Sequence, residues 1–276
     1  MQSGHCDRPA AAHNPEIMTT NPYESQDMLS QYLLFHYGAR DEVLLYPFSP
    51  TTGYGFPVRC VTELVDRSRL TRSARALDLG CAVGRSTFEL ARSCPEVIGI
   101  DFSRRFVATA DRLKRRGAIA YQRIEEGDLT VRRTARVPSS IDRDRVTFEQ
   151  GDAMALRADL GTFDVVLMVN LLDRLADPLR CLSKLAGLVR PGGQLVVVSP
   201  NTWLEQYTPR RKWLGGTMRN GRKVWTFDGL RRALRPGFTQ EERKDMPFLI
   251  REHARKFTWG VADGTVWIRK GRTAGA

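Results

Sequence analysis

Acidic and glycine residues between Arg75 and Asp101 have types and a spacing suited to binding a nucleoside. Asp78, Gly80 and Gly84 surround a short turn, and Asp101 follows the next apolar segment. Glycines let the backbone approach a ligand closely, and a helix that begins after them offers unpaired N–H groups. A carboxylate about 20 residues beyond such a turn can accept hydrogen bonds from both hydroxyls of a ribose. The stretch therefore predicts a nucleoside site.

A strand, a turn, a helix and a second strand must position these residues. Residues 76–79 and 97–100 are short apolar segments, and Phe88, Leu90 and Ala91 lie between them at helical spacing. The carboxyl ends of parallel strands meet at one edge of a sheet, where ligands of such folds bind. We therefore expect the turn and Asp101 to face the same cleft.

The turn does not match the dinucleotide fingerprint Gly-x-Gly-x-x-Gly, because the glycines of its Gly80-Cys81-Ala82-Val83-Gly84 run are spaced differently. A nicotinamide enzyme and a purely structural unit without a ligand remain the alternatives. The pattern Asp-x-Gly-x-x-x-Gly resembles motif I of the class I S-adenosylmethionine (SAM) methyltransferases. That resemblance implies SAM as the cofactor and S-adenosylhomocysteine as the product, with Asp78 holding the ammonium directly or through water.

The rest of the chain predicts an α/β fold with a Rossmann-like, doubly wound, seven-stranded sheet. It is mostly parallel with an antiparallel last strand, and an N-terminal helical lid precedes it. The helix at 178–188, the Pro-Gly-Gly turn after it and the next apolar strand are a second resemblance to class I methyltransferases. The expected strands are residues 76–79, 97–100, 145–150, 163–169, 194–200, 238–246 and 258–269. The expected helices are residues 27–38, 56–65, 102–116, 178–188 and 227–234.

Composition divides the chain into a tail, an extension and one large domain. Residues 1–20 are polar and are expected to be a disordered tail. Residues 21–72 would form the helical extension or lid, and residues 73–273 the methyltransferase domain. Residues 117–144 are charged and poor in large apolar side chains, so they read as an insertion with a short strand at 127–133.

Charge, cysteine and histidine content and the lack of long apolar runs argue against a nucleic-acid partner, a metal site and a membrane protein. The 276 residues carry a net charge of +12, which would suit a polyanionic partner, but the arginines are spread over many segments, so nucleic acid is disfavoured. The five scattered cysteines and four histidines show no metal-ligand spacing, and no metal is expected. No apolar run approaches the roughly 20 residues that span a bilayer, nor is there a secretory signal, so a cytoplasmic location without membrane contact is expected.

Segments flanking the sheet resemble a narrower family, the 4-mercaptohistidine N1-methyltransferases, which is similar to the C-terminal methyltransferase domain of ovothiol synthase. The resemblance covers residues 21–270. It implies methylation of an imidazole nitrogen of 5-thiohistidine, the last step of ovothiol biosynthesis. This chain has no room and no histidine cluster for the iron site of the full synthase, so a separate sulfoxide synthase would supply the thiolated histidine. The resembling segments are residues 21–24, 32–38, 56–60, 78–86, 170–174 and 246–256.

The resemblance also assigns candidate cofactor residues. Asp152 would contact the adenine amino group, although capping of the next turn is an equal alternative. Asn170 ends a strand where the transferable methyl should lie, so it could contact cofactor and acceptor. The full set of cofactor candidates is Asp78, Gly80, Cys81, Ala82, Gly84, Asp101, Phe102, Asp152, Ala153 and Asn170.

Candidates for the acceptor site come from the flanking segments. His36, Asp173 and His253 could orient the imidazole or take its proton, although a lone histidine is more often structural. Arg59 and Arg251 are candidate partners of the substrate carboxylate, because a guanidinium fork suits that group. A solvated charged loop is the alternative for the segment around Arg251. Candidates for the walls around the ring are Tyr23, Tyr32 and Trp203, with Asn170 beside them.

Two function classes besides a thiohistidine methyltransferase remain open from the sequence. One is a SAM-dependent methyltransferase that acts on RNA, which the charge favours, or on another small molecule. The other is a SAM-binding domain without catalysis.

Overall fold

Seven strands form the central sheet of the computed structural model, which describes residues 21–271. The strands in these residues are β1 (Arg75–Leu79), β2 (Glu96–Asp101), β3 (Ala118–Glu126), β4 (Leu129–Arg136), β5 (Val146–Gln150), β6 (Phe163–Val169), β7 (Val189–Ser199), β8 (Thr217–Arg219), β9 (Arg222–Val224), β10 (Phe238–His253) and β11 (Lys256–Arg269). The helices are α1 (Gln26–Tyr37), α2 (Arg40–Val43), α3 (Phe56–Thr62), α4 (Arg85–Leu90), α5 (Arg104–Arg116), α6 (Pro178–Leu188) and α7 (Thr226–Leu234). The expected tail, residues 1–20, lies outside the described residues.

The sheet has the strand order β10-β11-β7-β6-β1-β2-β5. β5, β2, β1, β6 and β7 pair in parallel, and β11 runs antiparallel to both of its neighbours, β7 and β10. Six strands therefore point one way, and the last strand of the chain points the other way. The predicted fold class is confirmed, and the carboxyl ends of β1, β2, β5 and β6 share one edge.

Both faces of the sheet are covered, which explains the unbroken apolar runs of its central strands. In β6, Val165 and Leu167 belong to one buried cluster, and Val166 and Met168 belong to the other. This alternation follows from the period of two in a strand. The sheet is thus the middle layer of a three-layer α/β domain.

The N-terminal extension, residues 21–72, is anchored to the edge where the parallel strands end. Glu24 accepts hydrogen bonds from the backbone N–H groups of Arg104 and Arg105 at 2.8 and 3.3 Å, at the start of α5. The Tyr37 hydroxyl donates to the carbonyl of Val83 at 2.7 Å, in the turn after β1. These contacts place α1 over the ends of β1 and β2.

The insertion is a β-hairpin. β3 and β4 pair antiparallel, and Gly127 lies in the turn between them with φ +52°. The expected short strand at 127–133 corresponds to β4, Leu129–Arg136, whereas its partner β3, Ala118–Glu126, was not predicted. Arg123 in β3 forms ion pairs with Glu125 and with Glu42 of α2, at 2.6 and 3.2 Å.

The C-terminal hairpin is longer than predicted. The predicted connection at 247–257 was wrong, because β10 runs on to His253 and β11 starts at Lys256. Phe248 and Leu249 are buried there, so this apolar stretch packs as a strand. At the tip, the backbone N–H of Ala254 donates to the carbonyl of Glu125, and the Tyr46 hydroxyl donates to the carbonyl of Ala254, at 3.0 and 2.9 Å. The hairpin therefore reaches both the insertion and the N-terminal extension.

Within residues 21–271, no helix is long and apolar enough to cross a bilayer.

Candidate functional site

A cavity of about 870 Å³ lies at the shared edge of the parallel strands. The ends of β1, β2 and β6 form its floor through Gly80, Asp101 and Asn170, and α1 covers it with Tyr32 and His36. This is the position at which open parallel sheets bind ligands.

The glycine turn after β1 adopts conformations that suit glycine. Gly80 and Gly84 have φ +77° and +85°, and Ala82 between them has φ +48°. A Cβ on Gly84 would lie 2.5 Å from the ring of Phe148, so a side chain there would clash. Gly80 and Ala82 line the cavity. Gly84 instead lets α4 start close to the sheet.

Asp101 ends β2 and faces the cavity with its carboxylate fixed. Its Oδ2 accepts a hydrogen bond from the N–H of Ala82, and its Oδ1 accepts one from the N–H of Ser103, both at 2.8 Å. Burial raises the pKa of Asp101, and the backbone hydrogen bonds oppose that shift. Each carboxylate oxygen has a further lone pair, so both can also accept from ribose hydroxyls.

Asp78 supplies an acceptor that has no partner. The hydroxyls of Ser86 and Thr87 donate to its Oδ2 at 2.8 and 2.7 Å, whereas its buried Oδ1 has no hydrogen bond among the described residues. Burial raises its pKa to about 6. Asp78 is buried and does not line the cavity itself, but Ser86, which donates to it, does. An ammonium reaching this corner, directly or through water, would satisfy Oδ1, so the residues fit the amino acid end of SAM.

Other cofactor candidates lie around the same edge. Asp152, Ala153, Asn170 and the exposed Phe102 line the cavity. The Oδ1 of Asp152 accepts from the N–H of Met154 at 2.8 Å, so it caps its own turn while facing the cavity. Asn170 has φ +51°, and its buried Oδ1 lacks a partner among the described residues. Cys81 is buried, and its side chain does not line the cavity.

Aromatic side chains of the N-terminal extension form the opposite wall. Tyr23, Tyr32, Phe35 and His36 line it, and the ring of Tyr32 lies 4.8 Å from that of Phe106. Burial, aided by the charge of Arg85, lowers the pKa of His36 to about 3. His36 is therefore neutral at physiological pH, and its Nδ1 has no partner among the described residues.

Among the cavity residues that the sequence reasoning did not choose, Arg174 and Tyr207 carry polar groups that could contact an acceptor. Arg174 directly follows the predicted candidate Asp173, and its guanidinium lies 5.0 Å from the ring centre of Tyr207. Arg174 also belongs to the segment 170–174 that resembles the narrower family, but it was not chosen as a site residue. Tyr207 comes from the loop after β7, which showed no signal.

Five predicted acceptor residues lie outside the cavity lining. Asp173 is fully buried and accepts from the N–H of Thr202 at 2.7 Å, so its carboxylate braces the loop after β7. Trp203 is buried, and its Nε1 donates to the hydroxyl of Thr226 at 2.8 Å. In place of an open ring wall, Trp203 forms part of the packing near α7.

The two arginines chosen for the carboxylate make structural contacts instead. Arg59 donates to Glu63 at 2.7 Å and to the carbonyl of Pro247 at 2.9 Å. Arg251 is 1% exposed and pairs with Glu125 at 2.5 Å. His253 lies near the hairpin tip, where its Nδ1 accepts from the N–H of Arg255 at 3.2 Å. Of the three proton-handling candidates, only His36 lines the cavity.

Comparisons with known proteins agree with this geometry. Residues 77–197 match a family model described as a methyltransferase domain. A ubiquinone biosynthesis O-methyltransferase of Cereibacter sphaeroides is 26% identical over 185 residues, which cover 63% of this chain and 64% of that protein. The chain spans less than two thirds of the length of the first curated relatives it matches.

Two solved structures share the fold over most of their length. The 4+2 cyclase SpnF has a TM-score of 0.54 at 17% identity, covering 90% of this chain and 94% of that one. A protein studied for the conversion of a disulfide bond into a thioacetal group in echinomycin biosynthesis has a TM-score of 0.50 at 18% identity, covering 79% and 82%. At these identities the likeness shows the fold alone. The matched family model, together with the turn at Gly80–Gly84 and the carboxylates of Asp78 and Asp101, identifies residues 77–197 as a methyltransferase domain whose cofactor is S-adenosylmethionine.

Proposed function

We propose that this chain is a SAM-dependent N-methyltransferase that methylates an imidazole ring nitrogen of 5-thiohistidine, the last step of ovothiol biosynthesis. One observation carries the proposal. The cavity lined by Gly80 and Asp101 is also lined by aromatic side chains of the N-terminal extension and by the neutral imidazole of His36, which leaves an apolar wall for a second reactant.

The volume of the whole cavity suits the cofactor together with a small planar acceptor. Ligand cavities of roughly 300–1,000 Å³ enclose one drug-sized molecule, so about 870 Å³ admits the cofactor with a small second reactant. Tyr32 and Phe35 cover it from the N-terminal extension. Covering the reactants excludes water and limits their relative motion, which is the main task in a displacement of this kind.

The side chains present fit a transfer that needs little base catalysis. When bound, SAM supplies a methyl group activated on a sulfonium, which an acceptor nitrogen can take in one in-line displacement. His36 has its pKa lowered to about 3, so it is a weak base, but it can orient an acceptor ring by a hydrogen bond. An imidazole nitrogen with a free lone pair needs no deprotonation, whereas a phenol does.

The identity of the acceptor is supported by the family resemblance of residues 21–24, 32–38 and 170–174. Residues in each of these segments line the cavity. We propose further that a separate sulfoxide synthase provides the thiolated histidine. The main rival acceptor is an oxygen nucleophile such as a phenol, because the ubiquinone biosynthesis relatives are named O-methyltransferases. RNA is the other rival, because of the net charge of +12.

Methyl transfer from labelled SAM to a panel of acceptors tests the proposal. The panel contains 5-thiohistidine, histidine, its sulfoxide conjugate, a catechol and RNA. We expect turnover on 5-thiohistidine, with mass spectrometry placing the methyl on a ring nitrogen. The Asp101→Ala variant is the control for cofactor dependence. Turnover on the catechol or on RNA, with 5-thiohistidine untouched, would refute the proposed acceptor.

A further inference from the structure

We infer that Arg174, flanked by Tyr23 and Tyr207, forms the subsite that binds the carboxylate of the acceptor. The inference rests on the proposed function and gives it a residue that recognises an amino acid. Arg174 is the only lysine or arginine among the described residues that line the cavity. Arg174 is therefore the one positively charged side chain in this lining that could pair with the carboxylate of an acceptor bound in the cavity.

The arginine is held in place from one side. Its Nη1 donates to the carbonyls of Asp173 and Thr202 at 3.1 and 3.0 Å and lies 3.1 Å from Oδ2 of Asp173. Its Nε and Nη2 form no hydrogen bond with Asp173 or Thr202, and the hydroxyl of Tyr23 lies close enough to the guanidinium to be its side-chain hydrogen-bond partner. A guanidinium has five N–H donors in a planar fork, so the free edge can bind a carboxylate through two of them.

Two tyrosines complete the subsite. The guanidinium packs against the ring of Tyr207 at 5.0 Å, which fixes the plane of the fork. Tyr23 lines the same part of the cavity, and the positive charge of Arg174 acts on both phenols. Burial raises the pKa of Tyr23, so its hydroxyl stays protonated and can donate to an anion.

The electrostatic balance also leaves room for an anion. Asp173 neutralises part of the charge of Arg174, but it contacts only Nη1 and also accepts from Thr202. Glu205, two residues before Tyr207, is exposed, lines the cavity and forms no ion pair within residues 21–271. A zwitterion could place its carboxylate at Arg174 and its ammonium toward Glu205. Asn170 lines the same cavity, so this subsite and the residue expected near the methyl open into one space.

Calorimetry tests the inference with the full chain saturated with S-adenosylhomocysteine. The two probes are 5-thiohistidine and its decarboxylated amine, 5-thiohistamine. We expect the wild type to bind the amino acid about ten- to a hundred-fold more tightly, as for a charge-assisted hydrogen-bonded pair. Arg174→Gln should remove that preference, and Arg174→Lys should restore part of it. Arg59→Gln, which alters an arginine outside the cavity, should keep the wild-type preference.

The outcomes separate this inference from the proposed function. If both probes bind the wild type equally, or Arg174→Gln keeps the preference, Arg174 is not the carboxylate site even if 5-thiohistidine is methylated. If the carboxylate preference depends on Arg174 but no methyl is transferred, the subsite stands and the proposed reaction fails. If 5-thiohistidine does not bind at all, both fail. Unchanged S-adenosylhomocysteine affinity in each variant shows that the protein remains folded.

Discussion

The carboxylate of Asp101 accepts a hydrogen bond from the backbone N–H of Ala82 at 2.8 Å, joining the end of β2 to the turn after β1. Ala82 has φ +48°, an unusual conformation for a residue with a side chain. The hydrogen bond therefore holds both the turn and the carboxylate in place. Groups fixed before the ligand arrives lose less entropy on binding.

Loss of this carboxylate should weaken cofactor binding. We expect Asp101→Ala to reduce SAM affinity by about 1–3 kcal/mol, because the ribose hydroxyls lose their acceptors. Calorimetry with SAM measures the change. Asp111→Ala is the matched control, since Asp111 lies on the outer part of α5, in an ion pair with Arg115. Unchanged affinity in a folded Asp101→Ala protein would contradict the assignment.

SAM affinity should depend on pH through Asp78. Its pKa is raised to about 6, and only the ionised form attracts an ammonium. Affinity should therefore rise as pH increases through about 6 and level off above it. Between pH 7 and pH 5 we expect about a ten-fold loss of affinity, as follows from titrating one group with this pKa. In Asp78→Asn, SAM affinity should depend much less on pH. If its pH dependence is as steep as in the wild type, a group other than Asp78 causes it.

His36 should make the protein sensitive to acid. Its folded pKa of about 3 is below the unfolded value near 6.5, so the unfolded state binds more protons between these values. Stability that is fully present above pH 6.5 is therefore lost as pH falls toward 3. Urea unfolding at pH 7 and pH 5 should show that His36→Asn loses roughly 1–2 kcal/mol less than wild type, allowing for partial solvent contact. Equal losses would mean that His36 titrates normally.

Arg251 should matter for stability and not for the cofactor. Arg251 is buried, whereas its partner Glu125 is 23% exposed and also pairs with Arg123. Losing this charge-assisted hydrogen bond should cost about 1.5–3 kcal/mol, so Arg251→Leu should lower the urea midpoint while the folded protein keeps its SAM affinity. Arg243→Leu is the control on the same hairpin. Its pair with Asp263 is half exposed and should contribute only about 0–1 kcal/mol. If the Arg251→Leu protein is as stable as wild type but no longer transfers the methyl group, the original hypothesis that Arg251 binds the acceptor would be supported instead.

The sheet could be predicted because its signals are local. The apolar run at Phe163–Val169 and the positions of Gly80 and Asp101 set strand, turn and cofactor edge within short stretches of sequence. Only the second strand of the insertion hairpin was predicted, because the charged residues of the first strand pair with α2 and with one another. No run of apolar residues marks such a hairpin.

The acceptor side could not be predicted in the same way. Arg174 lines the cavity and its neighbour Asp173 does not. This difference is set by the conformation of the turn after β6 and by the loop that carries Tyr207, which the local sequence does not reveal. Arg251 looks like a substrate ligand by residue type, but its partner Glu125 lies in the insertion, 126 residues earlier. Long-range pairing of this kind has no trace in the local pattern.

The tip of the C-terminal hairpin bears on the order in which the protein assembles during synthesis. Tyr46 and Glu125 cannot form their hydrogen bonds with Ala254 until that residue has been synthesised, which for Tyr46 is 208 positions later. Contacts between such distant segments form late, because their loop-closure entropy must be met first. The parallel strands can pair while the chain is still growing, but the contacts that join the N-terminal extension and the insertion to the hairpin tip form only when the final hairpin has been made. Until then, the N-terminal extension and the insertion of the nascent chain lack these two hydrogen bonds.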